Sequence, residues 1–208
     1  MSFSRPNRYA LAEAVSVFAM IMLYIWVLRA HYPFSWMIIF VLLLASHAFR
    51  GETPAKLGFR PTNLKECVIR FTPFVLLLAL ALLGLGSITR TIRPVTPQSG
   101  FSSLIFYCGW GLFQQYVLNG YFANRFMEVS PPRAPLLAAL SFSLAHAPNW
   151  FLMIVTFVGG YVCARVYLNS HNLYFLGLAH GVIGFLIYLV VPDTISHHLY
   201  VGPKWFYY

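Results

Sequence analysis

The chain has 208 residues, of which 59% are hydrophobic and 9% charged. Ordinary soluble domains carry about 25% charged residues, and a water-facing fold of this size cannot hide so much apolar surface, so a soluble domain is excluded and a chain solvated by lipid is expected. The net charge of +9 sits in short links between apolar runs, not on one patch interleaved with aromatics; that excludes a nucleic-acid binder and marks a membrane surface.

In chain order, Arg5 and Arg8 precede a first apolar run over 10–28. It is too long for the core of a cleaved signal and lacks a small-x-small cleavage site, so it reads as a retained helix at 10–29. Further runs predict helices at 34–49, 72–89, 101–123, 133–147, 150–168 and 172–191, since a spanning helix needs about 20 apolar residues. The expected fold is all-α: a polytopic bundle of about seven transmembrane helices, with residues 1–208 forming a single integral membrane domain. In the link over 51–71, Asn63 is placed to cap a short helix with Glu66 as its capping-box partner, and Leu64, Val68 and Phe71 fall on one face. This reads either as a short cytoplasmic interfacial helix or as the start of the third spanning helix.

Ten basic residues (Arg5, Arg8, Arg50, Lys56, Arg60, Lys65, Arg70, Arg125, Arg133 and Arg165) fall on one set of links and four (Arg29, Arg90, Arg93 and Lys204) on the other. Basic residues collect on the cytoplasmic side, so the N-terminus is expected inside and the C-terminus outside. Cys67, Cys108 and Cys163 show no paired spacing and read as free thiols, not as a disulfide framework or a zinc site.

Polar side chains are costly in lipid and normally face the bundle interior. The fourth run places Gly111, Gln115 and Asn119 on one face, bordered by Gln114. The fifth ends in Ser141-Phe142-Ser143-Leu144-Ala145-His146 before Pro148, and the seventh contains Gly177-Leu-Ala-His180-Gly-Val-Ile-Gly184. Glycines flanking His180 direct it at a tight helix contact. At about 1.5 Å per residue, Gln115 lies ~15 Å from Arg125, His146 ~20 Å from Arg133 and His180 ~13 Å from His171. Three polar groups on three helices thus share a depth, as a buried site or a structural hydrogen-bond cluster requires. The uncharged turn over 146–149, after a short fifth helix, is expected to leave a hollow above it.

In this order the motifs resemble the CPBP family of CAAX-protease and bacteriocin-processing membrane proteins, over about 53–191. The family's two-glutamate motif with its later arginine corresponds to Gln114, Gln115 and Asn119. Its Phe-x-x-x-His corresponds to Phe142 and His146, and its His-x-x-x-Asn to His180 and Gly184. The link Thr-Pro-Ala-Lys-Leu-Gly-Phe-Arg-Pro at 53–61 also resembles the family's lead-in to its core. The resemblance implies a glutamic-type intramembrane endopeptidase fold in a bacterial cytoplasmic membrane. Its glutamate would activate water, and its histidine and asparagine would hold that water or the oxyanion.

Gln114 and Gln115 cannot take a proton near neutral pH, and losing a general base typically costs ~10²–10⁴ in rate. Asn119 replaces the arginine and Gly184 the asparagine donor, so carboxylate and guanidinium have gone together and leave no unpaired charge in the bilayer. The acidic residues Glu13, Glu52, Glu66, Glu128 and Asp193 all lie away from the proposed depth. The expectation is therefore a family member with lost or reduced peptidase activity, whose polar cavity takes a membrane-protein partner, a peptide or a lipid. The alternative is an active endopeptidase with a modified mechanism. No cofactor is expected, and two histidines without a nearby carboxylate or cysteine are too thin a ligand set for a metal.

Overall fold

The structure, a computed structural model, describes residues 7–207, and among them every regular element is helical. Arg5 lies outside the described residues. The elements are α1 (Arg8–His31), α2 (Pro33–Phe49), α3 (Leu64–Thr89), α4 (Pro97–Gln115), α5 (Ala134–Leu144), α6 (Trp150–Ser170), α7 (Leu173–Val190) and a short α8 (Asp193–Ser196). Beyond Gln115 the fourth helix continues through a π-helical segment, Tyr116–Ala123, into Asn124–Val129.

Among the described residues four helices, α1, α3, α6 and α7, are long and apolar enough to cross a membrane, against the expected count of about seven. The 11-residue α5 rises only ~16 Å against a hydrocarbon core of ~30 Å.

Local sequence explains the element ends. The Asn7 side chain accepts from the Tyr9 and Ala10 amides at 3.1 and 3.2 Å and starts α1. Thr96 caps α4 through the Ser99 amide, with Pro97 in the first turn where a missing N–H costs nothing. Asn63 does not cap α3. Its amide nitrogen donates to the Ser170 carbonyl at 2.6 Å, and its oxygen accepts from Asn172 at 2.7 Å. The separate interfacial helix therefore does not form; the stretch is the first turns of α3, the second of the two sequence readings.

The chain divides into two compact units. One takes in the described residues up to Thr53, Leu118–Arg165 and those from Tyr200 on. In it, the turn after α5 does not stand open: the C-terminal segment bonds to it, with Gly202 N–H donating to the Ala147 carbonyl at 2.8 Å and Asn149 donating to the Tyr200 carbonyl at 3.0 Å.

The other unit comprises Pro54–Val117 and Val166–Leu199. Its link over 54–63 is held by Tyr167, whose hydroxyl donates to the Leu57 carbonyl at 3.0 Å, and by Asn172, which donates to the Arg60 carbonyl at 2.7 Å. Gly58 has φ +99°, and a Cβ there would lie 2.8 Å from the Tyr167 ring. Only glycine meets both conditions.

In this unit α4 and α7 meet through glycines. A Cβ on Gly111 would fall 2.7 Å from the Gly177 carbonyl, and one on Gly181 would fall 2.4 Å from Cys108 Cα. Backbone lies on backbone, so nothing can move aside without separating the helices. Gly181→Ala is expected to lower thermal stability in detergent by ~1–3 kcal/mol. Gly159→Ala, with open space around its new methyl, should cost nothing. Equal melting of the two variants would contradict the seam.

Candidate functional site

Gln115 is the last residue of regular α-helix in α4 and is wholly buried. Across the glycine seam its amide nitrogen lies 2.8 Å from Nδ1 of His180 on α7. An amide N–H can only donate, so Nδ1 accepts and the neutral ring carries its proton on Nε2. A carboxylate at 115 would demand the opposite, an Nδ1–H. The amide therefore keeps the contact and reverses its direction.

Gly184, one turn on from His180, faces the Tyr107 ring, with a built Cβ 3.3 Å from Cδ1. The space beside residue 184 is thus taken by an aromatic ring, itself packed on Phe185 and Tyr188. A longer side chain at 184 would have to displace it. Gln114 is half-buried next to Gln115.

The sequence pattern runs Gly111, Gln115 and Asn119 along one face, but the π-helical segment begins at Tyr116 and changes the angle per residue. Asn119 is wholly buried in the unit that contains Leu118–Arg165, whereas Gln115 and His180 belong to the other unit. Insertions of this kind recur at functional positions in helices, and period counting cannot detect them.

His146 and Phe142 also belong to the Leu118–Arg165 stretch. His146 Nδ1 lies 2.7 Å from the Phe142 carbonyl, which closes the end of α5, and the two rings meet edge to face at 4.8 Å. A carbonyl only accepts, so His146 carries its proton on Nδ1 and presents an unprotonated Nε2. The two histidines thus hold opposite tautomers. Among the described residues, no group of three or more His, Cys, Asp or Glu side chains is placed to hold a metal.

A second polar feature escaped the sequence reading. Arg125, counted there as a link charge, is fully buried and donates to Glu13 at 3.0 Å, to both Glu52 oxygens at 2.8 Å and to the Ser46 hydroxyl at 3.0 Å. Its guanidinium also lies over the Tyr121 ring, 5.1 Å from the centroid, and Tyr121 donates to Glu13 at 3.2 Å. Arg50 bridges Glu13 and Glu128 at 2.5 and 2.9 Å, and His47 donates to Glu52 at 2.6 Å. Burial pushes the Glu52 carboxyl up, but hydrogen bonds from Arg125 and His47 outweigh it and hold the group below its ordinary value. The available signal was Glu13, a carboxylate inside the first apolar run, which requires a cationic partner in lipid.

With this geometry in hand, comparison with known families gives one match. Residues 96–186 match the family model described as type II CAAX prenyl endopeptidase Rce1-like. The family resemblance read from the motifs is therefore confirmed over that stretch, which contains Gln114, Gln115, Asn119, Phe142, His146, His180 and Gly184. No curated protein and no solved structure matches the chain. Over residues 96–186 the chain is thus similar to CAAX-protease-like proteins, and four of its helices are long and apolar enough to cross a membrane.

Two outcomes follow for this ionic cluster. Arg125→Met removes the buried cation shared by Glu13 and Glu52, leaving them Arg50 and His47, and should destabilise by ~3 kcal/mol. Glu128→Gln, at the part-exposed rim, should cost ~1 kcal/mol or less. Because Glu52 titrates lower when folded, its contribution is present above its unfolded value near 4.5 and is lost as pH falls through the folded one. Melting temperature should drop across that acid range, and less steeply in Glu52→Gln. Parallel curves would remove Glu52 from the account.

Proposed function

We propose that this is an Rce1-like membrane protein that has lost, or nearly lost, endopeptidase chemistry and uses its polar site to bind a membrane partner or lipid. The supporting observation is the 2.8 Å contact from the Gln115 amide to His180 Nδ1. Where the family's carboxylate would stand as general base, this chain places a group with no proton affinity near neutral pH. A glutamine–histidine pair of this kind is polar and uncharged, suited to hydrogen bonding and not to deprotonating water.

In this proposal Gln114, Gln115, His146 and His180 occupy the family's working positions, with Asn119, Phe142 and Gly184 in support. The functional core extends over about 53–191, and 1–208 act as one membrane domain. The charge bias of the links favours an inside N-terminus, and the family resemblance implies a bacterial cytoplasmic membrane. One observation favours a second reading, an active endopeptidase with a modified mechanism: His146 presents an unprotonated Nε2, a basic lone pair.

The test is cleavage of a peptide and prenyl-peptide library by the purified chain, beside Gln114→Glu/Gln115→Glu and the same pair with Asn119→Arg. The expected result is no turnover by the wild type and a gain of ~10²-fold or more in a glutamate variant. Wild-type cleavage abolished by His180→Ala would overturn the proposal, and its loss in His146→Ala as well would support the second reading.

A further inference from the structure

Of the five acidic residues, Glu13, Glu52, Glu128 and Asp193 are in ion pairs; Glu66 is in none among the described residues. It lies in the first turn of α3, one turn before Arg70 and next to Lys65, and all three are exposed. Glu66 and Arg70 are spaced four apart, in the order that favours pairing along a helix. Neither they nor Lys65 close an ion pair.

The three charges instead line an open groove of about 470 Å³, together with Thr62 and Ile69. Glu66 and Arg70 also reach a smaller recess of about 70 Å³ that runs in beside Phe71, Asn169 and Ser170.

Helix length fixes the depth of this groove. The 26 residues of α3 rise ~39 Å, whereas the hydrocarbon core is ~30 Å thick. The uncharged stretch between Arg70 and Arg90 alone covers ~29 Å. With that stretch in hydrocarbon, the turns from Leu64 to Arg70 stand among lipid headgroups. The groove thus offers two cations and one anion beside the apolar Ile69.

We propose that this groove is a binding site for an aminophospholipid headgroup, phosphatidylethanolamine in type. The phosphate is held by Arg70 and Lys65, whose N–H donors suit its oxygens. The primary ammonium is held by Glu66. Its three N–H donors match the acceptor-only carboxylate, and a trimethylated choline has no such donors. A purely anionic headgroup satisfies the cations but leaves Glu66 facing negative charge, so the mixed signs select a zwitterion.

The test uses the full chain reconstituted in vesicles containing equal amounts of dioleoyl phosphatidylethanolamine, phosphatidylcholine and phosphatidylglycerol, then released for native mass spectrometry of retained lipid. Phosphatidylethanolamine should be retained about tenfold over phosphatidylcholine, as expected for charged hydrogen bonds. Glu66→Gln should erase that preference while keeping phospholipid binding. Lys65→Gln/Arg70→Gln should weaken retention of all three. Equal retention of the ethanolamine and choline lipids by the wild type would overturn the site, as would preference for the glycerol lipid or a preference unchanged in Glu66→Gln. Should a variant misfold, the wild type decides alone: retention must fall stepwise as the ethanolamine is mono-, di- and trimethylated, and a flat series refutes the proposal.

Discussion

The approach of α4 to α7 is the constraint on which the site depends. Gly111, Gly177 and Gly181 remove the side chains that would hold the two backbones apart. Only at that separation can an amide on one helix reach an imidazole on the other at 2.8 Å. In a bilayer such packing cannot draw on the hydrophobic effect, because lipid tails are as apolar as leucine. Close van der Waals contact and interhelical hydrogen bonds take over. The glycines and the Gln115–His180 bond are therefore one device: the first sets the distance and the second uses it. The same seam leaves Tyr107 to fill the space beside Gly184, so the part of the site that the family resemblance assigns to an asparagine is occupied by an aromatic ring.

Charge is placed with economy. In the unit holding α1 and α2, Arg125 is fully buried and meets two carboxylates, and Arg50 and His47 complete the set. At the far end of α7, Arg93 pairs with Asp193 and donates to the Tyr188 carbonyl at 2.7 Å. The guanidinium holds the Asp193 carboxyl below its ordinary value. Buried ions are tolerable in lipid only when paired and hydrogen-bonded. Gln114, Gln115 and Asn119 are all uncharged, so none of these three positions requires an ionic partner.

Much of this was legible in the sequence. Run lengths located the helices, since an apolar stretch bounded by charge or proline has few other readings in a chain with 9% charged residues. The glycines around His180 correctly signalled a close contact. Three things were hidden, each for a physical reason. The π-helical segment after Gln115 adds a residue to the turn without any residue type that announces it. Asn63 carried a capping signature, but tertiary bonds to Ser170 and Asn172 outcompeted the local one. Arg125 sits at a helix end where basic residues usually face headgroups, and only the fold brings Glu13 and Glu52 to it.

The central claim is that the site keeps its hydrogen-bonded shape with the direction of the bond reversed. The proton position on His180 tests this most directly. In ¹⁵N-histidine-labelled protein in lipid, His180 should show an unprotonated Nδ1 and a protonated Nε2, and Gln115→Glu should move a proton onto Nδ1. A wild-type His180 already protonated at Nδ1 would contradict the account, because Gln115 could not then be its donor.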